Sequence, residues 1–277
     1  MTVVVRVKDA NWSGKGFRNL NPFVAAPDME FGFDFMVRDN MLLDFASKHI
    51  VTPKRVDIKA GVLNETDPAI MVPVDSGLGI RLELGYLQCN LPLLPIPLDG
   101  SKKFTFLLVG RHSGVDFPPD KVVTAAPTRM IQLDWGSVVS TRGLSIDRNV
   151  SSGNAELRVA KGSHQMAVPP SSKLSANVVF VTFNGATWAL RNMTTGVAIT
   201  MTNAEMGLSG TEIPIQASAF EWTNGMLSIG GNANQQSTIY AAYPVLYQSA
   251  MWNRVLTADE MLDQYQRSKT SRPNIVV

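Results

Sequence analysis

A single cysteine, Cys89, stands in 277 residues, so no intrachain disulfide can form and cysteine-rich zinc sites are excluded. A lone thiol in such a chain is expected to be a small buried apolar residue. Charge is also scarce. Asp, Glu, Lys and Arg make up 17% of the chain, and 25 basic against 23 acidic side chains leave a net charge of +2. The basic residues are dispersed rather than gathered in a stripe with aromatics, so no nucleic-acid partner is expected. Long apolar runs are missing as well. Nothing approaches the roughly 18 residues of a membrane span, so membrane insertion is not expected. The start, "MTVVVRVKDANWSGKG", lacks a signal peptide's basic head, long apolar centre and small-residue cleavage pattern. Synthesis in a cytoplasm without signal-dependent export is the expectation.

Helical periodicity is absent until Thr257, and alternation takes its place. "FGFDF" puts Phe31, Phe33 and Phe35 on one side, "GIRLEL" does so for Ile80, Leu82 and Leu84, and "KFTFLLV" for Phe104, Phe106 and Leu108. Each reads as a half-buried strand. "RGLSID", "AELRVA", "VVFVTFNGATWALRN", "GVAITM" and "GMLSIGG" follow, separated by Gly, Asn, Ser and Asp clusters. "FNGATW" predicts a hairpin with a type I′ turn on Asn184-Gly185. Many short strands at close spacing imply an all-β sandwich or barrel.

Two stretches depart from this pattern. Residues 1–27 open with a short strand pattern, Val3 to Val7, and then become polar and irregular. Arg6, Lys8, Lys15 and Arg18 against Asp9 give residues 1–23 a local balance of 4 − 1 = +3, and the segment reads as an arm. "LPLLPIPL", Leu91 to Leu98, carries Pro92, Pro95 and Pro97, which remove backbone donors and exclude a central strand, leaving a loop, an edge or a contact surface. Its aliphatic side chains either fold over the chain's own core or form a contact between copies, and a homo-oligomer is expected on the second reading.

The last element is the best defined. With Thr257 as N-cap, Glu260 falls at the third helical position, and the two form a capping box. Leu256 and Met261 stand where a hydrophobic staple would sit. Met261, Leu262 and Tyr265 make a narrow apolar face, too short to be stable without docking on a larger body.

The order of these segments resembles the concanavalin A-like jelly roll of the laminin-G-like and pentraxin-like superfamily. "FGFDFMVRDNMLLDFASKHIVTP" resembles its opening strand and Asp-containing turn, "DSGLGIRLELGYL" its second segment, and "KFTFLLVGR" its first central strand. "YPVLYQSAMWNRVLTADEMLDQYQ" is similar to its closing strand, Asn-Arg turn and terminal helix. The resemblance implies a concanavalin A-like β-sandwich over residues 28–267, between the 1–27 arm and a 268–277 tail, with one short C-terminal helix closing the sandwich. Trp252 and Tyr265 are then expected as packing residues. An arm before a sandwich further resembles virion proteins of tailed bacteriophages: tail-fibre, baseplate or head-attached modules. On that likeness the expected role is a non-enzymatic virion subunit with other virion proteins and host-surface glycan as partners. The alternatives are a purely structural subunit and a glycan-cleaving enzyme.

Enzymes of this fold carry Glu-x-Asp-x-Glu or a bulged version on one strand, because alternate positions set two carboxyls on one face across a glycosidic bond. No such triplet occurs. "DMEFGFD", with Asp28, Glu30 and Asp34, comes nearest, and no catalytic residue is assigned. His49, His112 and His164 lack metal-ligand spacing, and "GRHSG", with His112 and Ser113, is too little for Ser/His catalysis. The resemblance brings in calcium through loop oxygens, for which Asp39, Asn40, Asp44, Asp75 and Asp147 are turn-located candidates. None matches a ligand motif, and no cofactor is assigned.

Overall fold

The computed structural model describes residues 21–36, 42–57, 62–64, 70–83, 85–112, 133–138, 142–148, 152–159, 165–172, 175–213, 226–230 and 244–276. Two antiparallel sheets account for most of them. Neighbour to neighbour, the first runs β15 (Val197–Thr202), β14 (Thr187–Asn192), β13 (Asn177–Phe183), β8 (Phe104–His112), β18 (Pro244–Trp252), β5 (Gly79–Glu83) and β4 (Ile70–Val74), with β1 (Met29–Asp34) also paired to β18. The second runs β12 (Gln165–Val168), β11 (Ala155–Val159), β10 (Arg142–Arg148), β9 (Leu133–Val138), β17 (Met226–Ile229), β6 (Gly85–Pro92), β2 (Val51–Asp57) and β3 (Val62–Asn64). A small ribbon joins β7 (Ile96–Pro97) to β16 (Glu212–Ile213). With one C-terminal helix, α1 (Ala258–Ser271), this is the expected all-β jelly-roll sandwich. No helix among the described residues is long and apolar enough to cross a membrane.

The alternating Phe run works as its spacing predicts. Phe31, Phe33 and Phe35 are buried between the sheets, and their rings stack in sequence at 5.5 and 6.3 Å. Ile80, Leu82, Phe104, Phe106 and Leu108 join them from the first sheet, and Leu87, Cys89, Ile146, Leu157 and Ile229 from the second. Burial pushes the Cys89 thiol up to about 12, so it stays protonated and inert. Leu84, like Val3 to Val7, lies outside the described residues.

The half-buried reading fails for the middle of the first sheet. Every residue of β13 and β18 is buried, as are Thr105, Leu107 and Val109 between the inward side chains of β8. The cause is a second apolar layer. Phe23, Val24, Tyr247, Trp252, Leu256, Met261 and Val276 form a separate cluster between the outer face of this sheet and α1. Trp252 donates to the Val24 carbonyl at 2.9 Å and meets Phe23 edge-on, which makes it a packing residue as expected; Tyr265 lies against the same cluster. The packed unit therefore includes residues on both sides of the 28–267 span: Phe23 and Val24 before it, and Ser268, Arg272 and Val276 after it. The helix itself continues to Ser271.

The capping box is present. Thr257 Oγ1 accepts from the Glu260 N–H at 3.2 Å, and Glu260 Oε2 accepts from the Thr257 N–H at 2.8 Å. Thr257→Ala should cost about 1 kcal/mol, read as a lower denaturation midpoint; an unchanged midpoint would contradict the cap's role. Arg254 grips the same carboxylate at 2.6 and 2.7 Å, and these bonds, followed by the Thr257 N–H, hold the Glu260 pKa at about 2 instead of its ordinary 4.5. A depressed carboxyl stabilises the fold above its unfolded value. That contribution should fade as pH falls from 4.5 towards 2, and Glu260→Gln should flatten this part of the acid-unfolding curve.

Two further expectations are corrected. In "FNGATW" the hairpin forms, with Phe183 opposite Trp188, but only Gly185 takes a positive φ (100°), the pattern of a II′ rather than a I′ turn. Asn184 instead accepts the Ala186 and Thr187 N–H groups through its side chain. In the proline run, Leu91 and Pro92 complete β6, which lies between β17 and β2, so the exclusion of a central strand was too strong. Pro92 is tolerated because it ends the strand, where the register against β17 shifts. Leu91, Leu93 and Ile96 enter the inter-sheet core and, among the leucine and isoleucine side chains of the run, only Leu94 is strongly exposed, at 60%, so the run gives no support to a homo-oligomer.

One polar group sits in the inter-sheet core without a partner. Ser249 lies opposite Phe33 and Leu108 in register, fully buried, with its hydroxyl unbonded. Ser249→Ala should leave stability unchanged or raise it by up to about 1 kcal/mol in thermal unfolding; a clear loss would mean that the hydroxyl is satisfied.

Candidate functional site

The 42–50 turn is organised by one carboxylate. Asp44 Oδ1 accepts from the Gly32 and Ala46 N–H groups at 2.8 and 2.9 Å, and Oδ2 from those of Lys48 and His49, both at 2.9 Å. These four bonds pin the turn to β1 and fix where His49 stands. Asp44 is thus a structural anchor and not a free calcium ligand.

His49 bridges two acceptors. Its Nε2 lies 2.9 Å from Glu30 Oε1 and its Nδ1 3.1 Å from Asn90 Oδ1. Asn90 Oδ1 also accepts the Ile50 N–H at 2.9 Å, which fixes its amide orientation. Both ring nitrogens therefore face side-chain oxygens, which holds the imidazole plane in place. Glu30 is held on its other oxygen by Asn253 Nδ2 at 2.5 Å, with Lys48 Nζ at 3.7 Å. Burial pushes the Glu30 carboxyl up, but the His49 and Asn253 hydrogen bonds and the Lys48 charge outweigh it and keep it below its ordinary value. Asn90 and Asn253 are exposed, and Ile50 beside them is 68% exposed. One end of the sandwich so presents fixed amide, imidazole and carboxylate groups next to an aliphatic side chain.

The two other carboxylates of "DMEFGFD" are elsewhere engaged. Asp28 accepts from Arg254 Nε at 2.7 Å, and Asp34 is buried against Arg272. Asp75, another calcium candidate, accepts from Arg111 Nη2 on both oxygens at 2.8 and 2.9 Å and from the Tyr247 hydroxyl. Asp39, Asn40, Ser113 and His164 lie outside the described residues, as do the side chains of His112 and Asp147. Among the described residues no group of three or more His, Cys, Asp and Glu could hold a metal.

A second polar surface was not legible from the strands one at a time. Thr52, Gln88, Ser228, the register position of Asp134, Ser145, Arg158 and Gln165 are consecutive cross-strand partners through β2, β6, β17, β9, β10, β11 and β12. The adjacent row, with Leu87, Ile229, Ile146, Leu157 and Met166, points into the core, so the polar row lies on the outer face. Ser228 and Ser145 are buried, however, and the Ser228 hydroxyl is unpartnered.

No protein-family model matches the sequence, and no curated protein does. Solved structures share the architecture. Domain 4 of AbnA, an extracellular GH43 arabinanase from Geobacillus stearothermophilus in complex with arabinotriose, superposes with a TM-score of 0.52 at 13% identity, over 86% of this chain and 98% of that domain. A structure of botulinum neurotoxin type C, whose cell entry depends on interaction with two ganglioside molecules, superposes with a TM-score of 0.51 at 11% identity over 87% of this chain. This chain spans about half of that one (52%). At such identities the likeness carries the fold alone, a β-sandwich.

Proposed function

We propose that this protein is a non-catalytic, lectin-like module that binds a hydroxyl-rich glycan at the Glu30–His49–Asn90–Asn253 end of the sandwich. The observation carrying this reading is the fixed polar constellation drawn from four separate segments, with Ile50 exposed beside it. Sugar recognition uses such groups: immobilised donors and acceptors for hydroxyls and an apolar side chain for the C–H face. The end cluster is preferred to the outer polar row because its amides are exposed, whereas the middle of that row is buried. Neighbours in fold supply weaker support, since one was solved with arabinotriose and another enters cells through gangliosides.

Absence of catalysis is part of the proposal. Two hydrogen-bond donors and the Lys48 charge keep the Glu30 carboxyl below its ordinary value, which suits an acceptor and not a general acid, and Asp28 is occupied by Arg254. Glycosidic cleavage needs two carboxyls with distinct roles across one bond. We further place the module on a tailed-phage particle, on the residue-order resemblance and the basic segment before the sandwich. Glycan-array binding tests the first claim, with His49→Ala and Asn253→Ala each expected to weaken binding about tenfold, the order of one or two lost hydrogen bonds. Falling viscosity of a bound polysaccharide would sink the non-catalytic reading. Failure of the protein to appear in purified virions would sink the placement.

A further inference from the structure

The first sheet ends on β15, to whose outer edge no described strand hydrogen-bonds, although β12 of the second sheet packs beside it. β15 reads Val-Ala-Ile-Thr-Met-Thr, without charge, proline or glycine, and Ala198 and Thr200 are exposed. Its hydrogen-bond parity is fixed at one end. Asn203 N–H donates inward to the Ala186 carbonyl at 2.9 Å, while the Thr202 N–H donates to Glu205 Oε2 at 2.7 Å and the Thr202 carbonyl accepts from Met206 N–H at 3.0 Å. Residues 203, 201, 199 and 197 therefore bond to β14, and residues 202, 200 and 198 turn their backbone groups outward. The 203–206 turn satisfies Thr202 and leaves Ala198 and Thr200 open, each with one N–H and one C=O.

Other strand ends are guarded. β12 runs into Pro169 and Pro170, β4 contains Pro73, and β3 has three residues. Proline, charge and shortness are the usual means of keeping an edge from pairing, and β15 has none of them.

We propose that two copies of this chain pair through β15, antiparallel, about a two-fold axis at Ile199. That axis maps Ala198 onto Thr200 of the other copy, so the two open residues on each side satisfy one another in four N–H···O=C bonds, with Ile199 facing its own copy. A longer foreign strand would run into the 203–206 turn, whereas the open stretch matches its own length. The result is one sheet continuous across two sandwiches.

The test uses the full chain. Sedimentation equilibrium should show a dimer, and Thr200→Pro, which removes an outward N–H, should give a folded monomer with its melting temperature kept. Ala198→Lys provides a second variant, since it charges the edge without altering the backbone. Ile199→Cys should form an intersubunit disulfide under mild oxidation, and adding Thr200→Pro should abolish it; the buried Cys89 does not compete. A wild type that is monomeric at every concentration, or a dimer that survives in folded Thr200→Pro and Ala198→Lys proteins, would overturn the proposal.

Discussion

Replacing Arg272 with alanine should destabilise the fold by about 3–5 kcal/mol, the cost of leaving one member of a buried ion pair without its partner. Arg272 is fully buried, and its guanidinium reaches Asp34, the Leu78 carbonyl at 3.0 Å and the Tyr247 carbonyl at 3.1 Å. It ties the end of α1 to β1, β18 and the turn before β5 at once. Loss of the guanidinium takes the cation of the pair away from the buried Asp34 carboxylate. The double variant Asp34→Leu/Arg272→Met should recover most of the loss, because well-packed apolar groups often replace a buried pair at little cost. Denaturant midpoints of the single and double variants measure this directly. A double variant as unstable as Arg272→Ala would show that the carbonyl contacts, and not the ion pair, dominate.

Asp44→Ala is the second large effect, at about 3–5 kcal/mol, since four backbone N–H groups lose their acceptor and about 1–3 kcal/mol attaches to each one left buried and unpaired. Water can reach part of the turn, which keeps the total below the simple sum. Asp44→Asn retains one acceptor oxygen and should fall between. Because the same carboxylate fixes His49, both variants should also weaken glycan binding, although Asp44 itself is buried. Full binding by a folded Asp44→Ala protein would separate the turn from the site.

Much of the architecture was legible because burial follows spacing. The Phe31–Phe33–Phe35 ladder needed only period two, and the capping box only the four letters from Thr257 to Glu260. Two features were out of reach for the same physical reason. The full burial of β13 and β18 depends on a helix that begins about 75 residues after β13 and folds back over β18, and alternation on one strand cannot report a second covering layer. Arg272 and Asp34 are 238 residues apart, so a buried charge pair has no local pattern. The site divides similarly. Glu30 drew attention through its neighbours in "DMEFGFD", but its partners His49, Asn90 and Asn253 come from three other elements, and a loop histidine alone carries little signal. Asp44 looked like a metal ligand because turn carboxylates serve metals and backbone N–H groups alike; only the closed turn distinguishes them.

The most direct test of the account is to titrate the glycan selected by array into the labelled protein and map backbone amide shifts. The end-cluster reading predicts the largest changes at Glu30, His49, Ile50, Asn90 and Asn253, with the bound sugar left intact. Shifts concentrated at Gln88, Ser145, Arg158 and Ser228 would move the site to the outer face of the second sheet and contradict it.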